Sequence, residues 1–469
     1  MFNPGCAVVK IRQGAFFARL SCFVVLAGML CGCHYLAKGG RQELTSSPCV
    51  ALALPTSGPY ATVAARIKRG ADAALAELKT RGVDTRLVNI DTSKGNWTHL
   101  VAQLPEACAV VGGPLGEASY LDARKAGLLD KRMFFPFVPT LTQGDEGKLA
   151  WRFFPSPQDQ IDALVSCAVD KLNIRSFGAF YPDDAYGRRM TSLLEKSLAK
   201  RHIALQKATY NAKTPGSWSA AVRPLVNPEM REGEGTPVPR TAFEALLVPD
   251  SWKNMPAVAA SLMDNGEDRL VLLGTTLWEQ GMKGKTGNKV ALGIFPMAWD
   301  SAKAPSAIKN GDFWTALGYD FMRFASLMGL TARPGTGAAA LEHIQRASGN
   351  ISALAPISWD SAGIAHQALF IYQVGSSGIA PLNATGFRQR RRAIAEQAAL
   401  RIQGVGARSE NGDPDISQPV SRGEAEPERR EQTQQEDLPT PAPTPAQTRL
   451  PSIEAVPHTS YKLSLPVKR

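Results

Sequence analysis

The chain has 469 residues, and its 53 Lys and Arg residues against 42 Asp and Glu residues give a formal net charge of +11. This length exceeds that of one ordinary domain, and the composition is globular apart from the last stretch. The positive charge does not indicate nucleic-acid binding, because no patch of basic and aromatic residues accompanies it.

The N-terminus predicts a signal peptide at residues 1–32. Three basic residues precede an apolar stretch at residues 20–30, which is too short to span a bilayer and has the form of a secretory hydrophobic region. The stretch ends in Leu30-Cys31-Gly32-Cys33, which resembles the lipobox of bacterial lipoproteins. We therefore expect cleavage before Cys33 and lipidation of its thiol. A plain signal peptide or an N-terminal membrane anchor is the alternative.

Residues 33–47 are then predicted to be a tether between the lipid and the folded domain. His34 follows the lipidated cysteine, and the absence of Asp at that position favours the outer over the inner membrane in a Gram-negative host. We expect the protein on the periplasmic face of a bacterial membrane.

Residues 50–78 predict a buried strand followed at once by an amphipathic helix. Residues 50–54 are apolar without alternation, as in a central parallel strand. Ser57, Gly58 and Pro59 form a turn in which Ser57 can cap the helix and Pro59 suits its first turn. Ligands of open α/β sheets lie beyond the carboxyl ends of the strands, near helix N-termini. The turn at Ser57 occupies that position.

Strands and helices then alternate in two series, with an extended crossover at residues 151–155 between them. A return strand at residues 290–295 precedes helices near 313–328 and 338–347, which should rejoin the first series. The fold class is therefore α/β, with two doubly wound parallel-sheet lobes joined by a hinge. We place lobe 1 at about 48–150 and 297–365 and lobe 2 at about 157–290, within a domain at 48–384. The cleft between them is the default binding site.

Three cysteines remain after export, in a compartment where disulfides persist. Cys49 and Cys108 each directly precede a strand of the first series. In a sheet of order 2-1-3-4 these strands are neighbours, which predicts a Cys49–Cys108 disulfide at the sheet edge away from the site. Two buried free thiols are the alternative. Cys167 lies on an apolar helical face and is interpreted as a packed core residue.

The C-terminal part changes in character. Residues 385–404 predict a basic helix, which either contacts anionic lipid or peptidoglycan or is a solvated extension. Residues 405–469 are rich in Pro, Glu, Gln and Ser, with few large apolar residues, and predict a disordered tail. The arginines of the predicted basic helix are Arg388, Arg390, Arg391, Arg392 and Arg401.

Four stretches between residues 45 and 384 together resemble the type I periplasmic binding proteins, in the group that binds leucine, isoleucine and valine for ABC importers. They are SGPYATVAARIKRGADAA from Ser57, VVGGPLGEAS from Val110, FYPDDAYGRRM from Phe180 and LAPISWDSAGIAHQALFIYQV from Leu354. LLVPDSW from Leu246 and LLGTTLW from Leu272 resemble lipoproteins that activate penicillin-binding proteins, whose domain shares this fold. The basic and Pro-rich C-terminus departs from both groups.

The resemblance implies a ligand site in the first lobe. Amino-acid binders grip the ligand carboxylate with a hydroxyl residue after the third strand, and Glu117 stands at that place here, with Ser119 two positions later. This departure weakens a simple amino-acid assignment. Pro139-Thr140 replaces an Ala-Thr pair, and Thr140 still offers a hydroxyl and a backbone N–H. The expected ligand-binding residues are Ser57, Tyr60, Glu117, Ser119, Thr140, Tyr186, Ser251 and Thr276.

The resemblance also implies that residues of the second lobe contribute to the ligand site. Tyr186 matches a tyrosine that covers the ligand, although a tyrosine at a helix start also serves capping and packing. Ser251 and Thr276 lie at the rim where an acidic residue of the family receives the ligand amine. Thr276 supplies no charge there. Asp250 or Glu279 could substitute, or could be ordinary solvated carboxylates.

The candidates for catalysis fail on spacing. Gly284-Lys285-Thr286 lacks the glycine and the strand that a phosphate-binding loop requires, and Gly375-Ser376-Ser377-Gly378 does not form a nucleophile elbow. The histidines have no metal-ligand spacing. Asp183 and Asp184 are adjacent and fit a turn and a helix cap better than an acid/base pair. We expect no enzyme activity, no cofactor and no metal.

The sequence thus predicts a lipid-anchored extracytoplasmic solute-binding protein for a small polar ligand, an amino acid or a related compound, that feeds an ABC permease. The alternative is a non-catalytic outer-membrane lipoprotein that activates a peptidoglycan synthase. The altered carboxylate grip and the long tail favour the alternative.

Overall fold

The computed structural model describes residues 47–230, 237–279, 281–282, 290–335, 337–375 and 378–410, with side chains as far as residue 402. The predicted signal peptide, Cys33, nearly all of the tether, Gly284-Lys285-Thr286 and the tail from residue 411 lie outside these residues.

The first sheet has four parallel strands in the predicted order β2-β1-β3-β4. Apolar residues of β1 alternate between two cores, one under α1 and one under α2 and α3, which explains why every residue of this strand is buried. Cys49, the first residue of β1, forms a disulfide with Cys108, which lies two residues before β3. The elements are β1 (Cys49–Leu54), α1 (Ala61–Thr80), β2 (Arg86–Asp91), α2 (Trp97–Ala102), β3 (Val110–Gly112), α3 (Glu117–Lys125) and β4 (Met133–Phe135).

The second sheet begins with five parallel strands in the order β6-β5-β7-β8-β9. A short π-helical turn extends its first helix and buries Cys167, as the sequence predicted. The elements are α4 (Pro157–Ser166), β5 (Phe177–Pro182), α5 (Ala185–Ala199), β6 (Leu205–Tyr210), α6 (Trp218–Val226), β7 (Ala245–Leu247), α7 (Met255–Met263), β8 (Val271–Leu273) and β9 (Gly293–Met297).

The chain then returns to the first sheet, as predicted. Helices α8 (Phe313–Met328) and α9 (Gly337–Ser348) share the core of β1 and α1. The backbones of α1 and α8 touch, because a Cβ on Gly318 would lie only 1.8 Å from the carbonyl oxygen of Ile67. Only glycine permits this approach.

The last strands depart from a purely parallel sheet. After the short antiparallel pair β10 (Ile357–Trp359) and β11 (Ala365–Gln367), β12 (Phe370–Gly375) joins β9 antiparallel and β13 (Gly378–Pro381) joins β12. These strands extend the second sheet to seven. Gly375 ends β12 and Gly378 begins β13, and the two serines between them lie outside the described residues.

The predicted basic helix is present as α10 (Ala384–Glu410), but its first half is not a solvated extension. Phe387 is fully buried in the core of the second sheet, and Ile394 packs against the same core. Arg391 also forms an ion pair with Glu244 at 2.7 Å. The helix packs there because Phe387 and Ile394, seven positions apart, lie on one helical face.

Three crossings join the two sheets in the described part of the chain, between β4 and α4, between β9 and α8, and between β11 and β12. Arg152 ties the first crossing to the third. Arg152 is 3% exposed, and its guanidinium contacts the carboxylates of Glu146 and Asp159 at 3.2 and 3.1 Å. It also donates to the carbonyl oxygens of Phe154 and Ala365. The first and third crossings are therefore fixed to each other by a buried cation with acceptors on both.

Among the described residues, the helices are all too short or too polar to cross a membrane.

Candidate functional site

Three of the expected ligand-binding residues lie at the edge where the parallel strands end. Glu117 begins α3 after β3, Thr140 lies in the loop after β4, and Tyr186 lies in the first turn of α5 after β5. In open α/β sheets this edge, with its helix N-termini, is where ligands bind.

The start of α5 is held tightly against its strand. Asp184 caps the helix by accepting a hydrogen bond from the backbone N–H of Gly187 at 2.7 Å, which confirms the predicted cap. A Cβ on Gly187 would lie 2.3 Å from the carbonyl oxygen of Pro182, so the helix presses directly on the strand end. The positions of Tyr186 and Arg189 are fixed as a consequence.

One hydrogen bond joins the two sheets at this edge. Arg189 Nη2 donates to Thr140 Oγ1 at 3.1 Å. Arg189 is half-buried, and burial lowers the pKa of its guanidinium, while the charge of Glu117 acts in the opposite direction. No ion pair involves Arg189 within the described residues. We call Glu117, Thr140, Tyr186 and Arg189 the junction site.

Tyr186 lies on the second-sheet side of the junction site. Burial raises the pKa of its phenol to about 12, although a hydrogen bond from Thr275 opposes this change. Thr275 is fully buried and begins the short turn after β8. Tyr186 is therefore a neutral hydrogen-bonding group at every physiological pH.

Ser57 does not cap α1, and this prediction is wrong. The residue at the cap position is Tyr60, and its side chain makes no capping hydrogen bond. The neighbouring Thr56 instead binds the Asp91 carboxylate through its hydroxyl at 2.6 Å and its backbone N–H at 3.0 Å. Together with Ser93, it holds the pKa of Asp91 far below its usual value. This anchor fixes the loop after β1 and leaves Ser57 exposed.

Two further predicted residues flank the junction site without bonding to it. Tyr60 is 39% exposed, and its ring passes beside Gly116, the residue before Glu117. Ser119 is half-buried on α3. Within the described residues, neither makes a hydrogen bond across the junction.

The predicted rim residues of the second sheet are paired within that sheet. Thr276 donates to Gln160 Oε1 through its backbone N–H at 3.1 Å and its hydroxyl at 3.3 Å. Ser251 caps the short turn that follows it. Asp250 accepts hydrogen bonds from the Tyr210 hydroxyl and from Asn254. Asp250 therefore supports local structure.

Glu279 differs from Asp250. Burial raises its pKa to about 7, and the negative charge of Asp312, at the start of α8, adds to the effect. Glu279 follows a strand of the second sheet, whereas α8 belongs to the first. A carboxyl that is half protonated near neutral pH is a weak permanent partner for a ligand amine.

Arg189 is the one residue of the junction site that the sequence prediction missed. It follows Tyr186 by three positions, and residues at this spacing share a helical face. A search for polar residues three or four positions from Tyr186 would have found it.

Other features of the described residues do not contribute to this site. No group of His, Cys, Asp and Glu among them could hold a metal ion. A surface cavity of about 400 Å³ lies between Gly147 and α9, and none of the predicted ligand-binding residues lines it.

The sequence model of the periplasmic binding protein family matches residues 49–227. No curated protein sequence matches the chain. Among solved structures, the C-domain of LpoA from Haemophilus influenzae, a regulator of PBP1A, is 15% identical, with 71% of this chain and 99% of that chain covered and a TM-score of 0.52. Full-length LpoA from the same organism is also 15% identical, with a TM-score of 0.51, 72% of this chain covered and 59% of that chain.

A putative branched-chain amino acid ABC transporter from Rhodospirillum rubrum is 11% identical and has a TM-score of 0.56, with 72% of this chain and 100% of that chain covered. These identities establish the fold and not the activity. The chain also spans only about three fifths of full-length LpoA. The protein therefore has the fold of the type I periplasmic binding proteins, and its residues 49–227 match the model of that family.

Proposed function

We propose that the protein is an extracytoplasmic solute-binding protein that closes its two sheets around a small polar ligand, an amino acid or a related compound, and presents it to an ABC permease. The observation that carries this proposal is the hydrogen bond between Arg189 and Thr140. It brings together polar groups from both sheets at the edge where ligands of this fold class bind.

The chemistry of the junction site suits a small polar ligand. Thr140 and Tyr186 supply neutral hydroxyls, and Arg189 and Glu117 supply one charge of each sign. A ligand that bonds to groups of both sheets favours the closed arrangement by the difference between its affinities for the two arrangements. The three crossings, with Arg152 as a fixed point, provide the hinge for this motion.

The location follows from the N-terminal sequence. Cleavage before Cys33 and lipidation of its thiol would attach the protein to a membrane, the outer membrane in a Gram-negative host. Metabolic labelling with an alkyne fatty acid tests this, since C33S should lose the label and C31S should keep it. Equal labelling of the two variants would contradict the lipid anchor.

The binding function is tested by the melting temperature of the full-length protein against amino acids, short peptides and muropeptides. A ligand at about a hundred times its Kd adds roughly 2.7 kcal/mol of stability. We expect a saturable shift with one class of compound, lost in Thr140→Ala and kept in Thr142→Ala, a threonine of the same loop. A panel without any shift would contradict the proposal.

The second candidate is a regulator of a peptidoglycan synthase that uses this fold without a ligand. The observation that favours it is the pairing of Asp250 and Thr276 within the second sheet and its helices, which occupies these side chains with hydrogen bonds inside the protein. The test adds the protein to a purified synthase and measures polymerisation and cross-linking rates. Stimulation that survives in Thr140→Ala, together with a silent ligand panel, would favour this candidate.

A further inference from the structure

Arg189 is half-buried, joins the two sheets and has no ion pair among the described residues, unlike two other half-buried arginines of the second sheet. Arg269 pairs with Glu267 at 2.6 Å, and Arg391 pairs with Glu244 at 2.7 Å. Arg189 instead has one neutral partner, the hydroxyl of Thr140. A cation that has lost part of its hydration and has no carboxylate within ion-pair distance gains strongly from an anion.

The two charged residues of the junction site come from different sheets. Glu117 is exposed at the start of α3, on the first-sheet side, and Arg189 approaches from α5, on the second-sheet side. The two groups interact electrostatically but do not form an ion pair. The site therefore presents a negative charge from one sheet and a positive charge from the other.

This distribution of charge between the sheets is opposite to the one that the resemblance to amino-acid binders implies. In the amino-acid binders the first lobe grips the ligand carboxylate and the second lobe receives the amine. Here the first sheet supplies Glu117 at the place of the carboxylate-binding hydroxyl, and the second sheet supplies Arg189. A zwitterion placed in the usual orientation would face two like-charge contacts.

We propose that Arg189 binds the anionic group of the ligand while Glu117 faces its cationic group, so that a zwitterionic ligand lies reversed relative to the amino-acid binders. This inference rests on the proposed solute-binding function and assigns its ligand class, small compounds with a carboxylate and an amine.

The hydrogen bond to Thr140 then belongs to the ligand-free protein. A ligand carboxylate would replace it, because a guanidinium can donate two parallel N–H bonds to a carboxylate and only one to a hydroxyl. The Thr140 hydroxyl, released from Arg189, would become available to the ligand. The ligand would thus contact Arg189 on the second sheet and Thr140 on the first.

The test measures how affinity changes when one charged group is removed from the ligand or from the protein. The probes are the best-binding amino acid or peptide from the panel, its C-terminal amide and its N-acetyl derivative, titrated calorimetrically into the full-length protein. The variant is Arg189→Met, and the control is Arg188→Met, the next residue on α5, which is exposed and pairs with Asp183.

We expect the wild-type protein and the control to prefer the free carboxylate to the amide by roughly 10- to 100-fold, the range for hydrogen bonds to charged groups. Arg189→Met should lose that preference and still discriminate against the N-acetyl derivative. Glu117→Gln should show the converse pattern.

Two results would overturn the inference in distinguishable ways. If Arg189→Met retains the full preference for the carboxylate, the reversed orientation is wrong and the solute-binding function stands. If no amino acid, peptide or muropeptide binds the wild-type protein, both the orientation and the solute-binding function are wrong.

Discussion

Two arginines near the contact between the sheets have opposite surroundings. Arg152, at the crossings, is 3% exposed and donates to two carboxylates and two backbone carbonyl oxygens. Arg189, at the carboxyl edge of the strands, is half-buried and donates to one hydroxyl. The charge of Arg152 is neutralised within the fold, whereas that of Arg189 is not.

The difference separates a structural cation from one available for binding. Burying a charge costs several kcal/mol unless its partners replace the lost water. At Arg152 the protein's own carboxylates and carbonyl oxygens replace the lost water, so no acceptor is required from a ligand. At Arg189 the acceptors are incomplete, and an anion that enters the junction site would complete them.

Replacing Arg152 by Met should produce the largest effect. The substitution leaves the buried carboxylate of Asp159 and the half-buried carboxylate of Glu146 without their cation, which costs about 3–5 kcal/mol of stability. Urea unfolding followed by circular dichroism measures this loss, and Arg188→Met should stay within about 0.5 kcal/mol of the wild type. A loss below about 1 kcal/mol in Arg152→Met would show that the crossings do not depend on this network.

The titration of Glu279 should produce an effect of intermediate size, a dependence of stability on pH. Its folded-state pKa of about 7 lies above its ordinary value of 4.5, so the folded protein holds a proton that the unfolded chain has released. Stability should therefore fall as the pH rises from about 4.5 to 7, by on the order of 1–3 kcal/mol for this group. Glu279→Gln should remove this part of the fall.

The control for this pH effect is Glu396→Gln, at an exposed carboxyl of α10. Chemical denaturation at pH 5 and pH 8 gives the difference for each variant. If Glu279→Gln and the wild type lose the same stability between these two pH values, Glu279 does not titrate in this range.

Replacing Arg189 by Met should have the smallest effect on stability. Only one hydrogen bond to a neutral hydroxyl is lost, and the half-buried stem of the side chain is replaced by methionine, so we expect a change within about 1 kcal/mol. Thermal unfolding without ligand measures it. A loss comparable to that of Arg152→Met would mean that Arg189 is a second structural cation.

The sequence predicted the features that depend on local pattern. The uninterrupted apolar run of β1, the sheet order 2-1-3-4, the helix at 313–328 and the Asp184 cap were all predicted correctly. Each arises from neighbours in the chain or from the general rules of doubly wound sheets.

The features that depend on distant contacts could not be predicted in the same way. Ser57 has the composition of a cap, but Thr56 binds Asp91 thirty-five residues away and fixes the turn in another arrangement. The bond between Arg189 and Thr140 joins residues 49 positions apart from different sheets. The burial of Phe387 likewise depends on the surface of the second sheet, which the sequence pattern of the basic helix does not reveal.

The most direct test of the junction site is a crystal structure of the protein grown with the compound that raises its melting temperature most. We expect the compound to lie between the two sheets, with its anionic group on Arg189, and the 3.1 Å bond from Arg189 to Thr140 to be replaced by bonds to the ligand. A compound bound elsewhere, with that bond intact, would contradict this expectation.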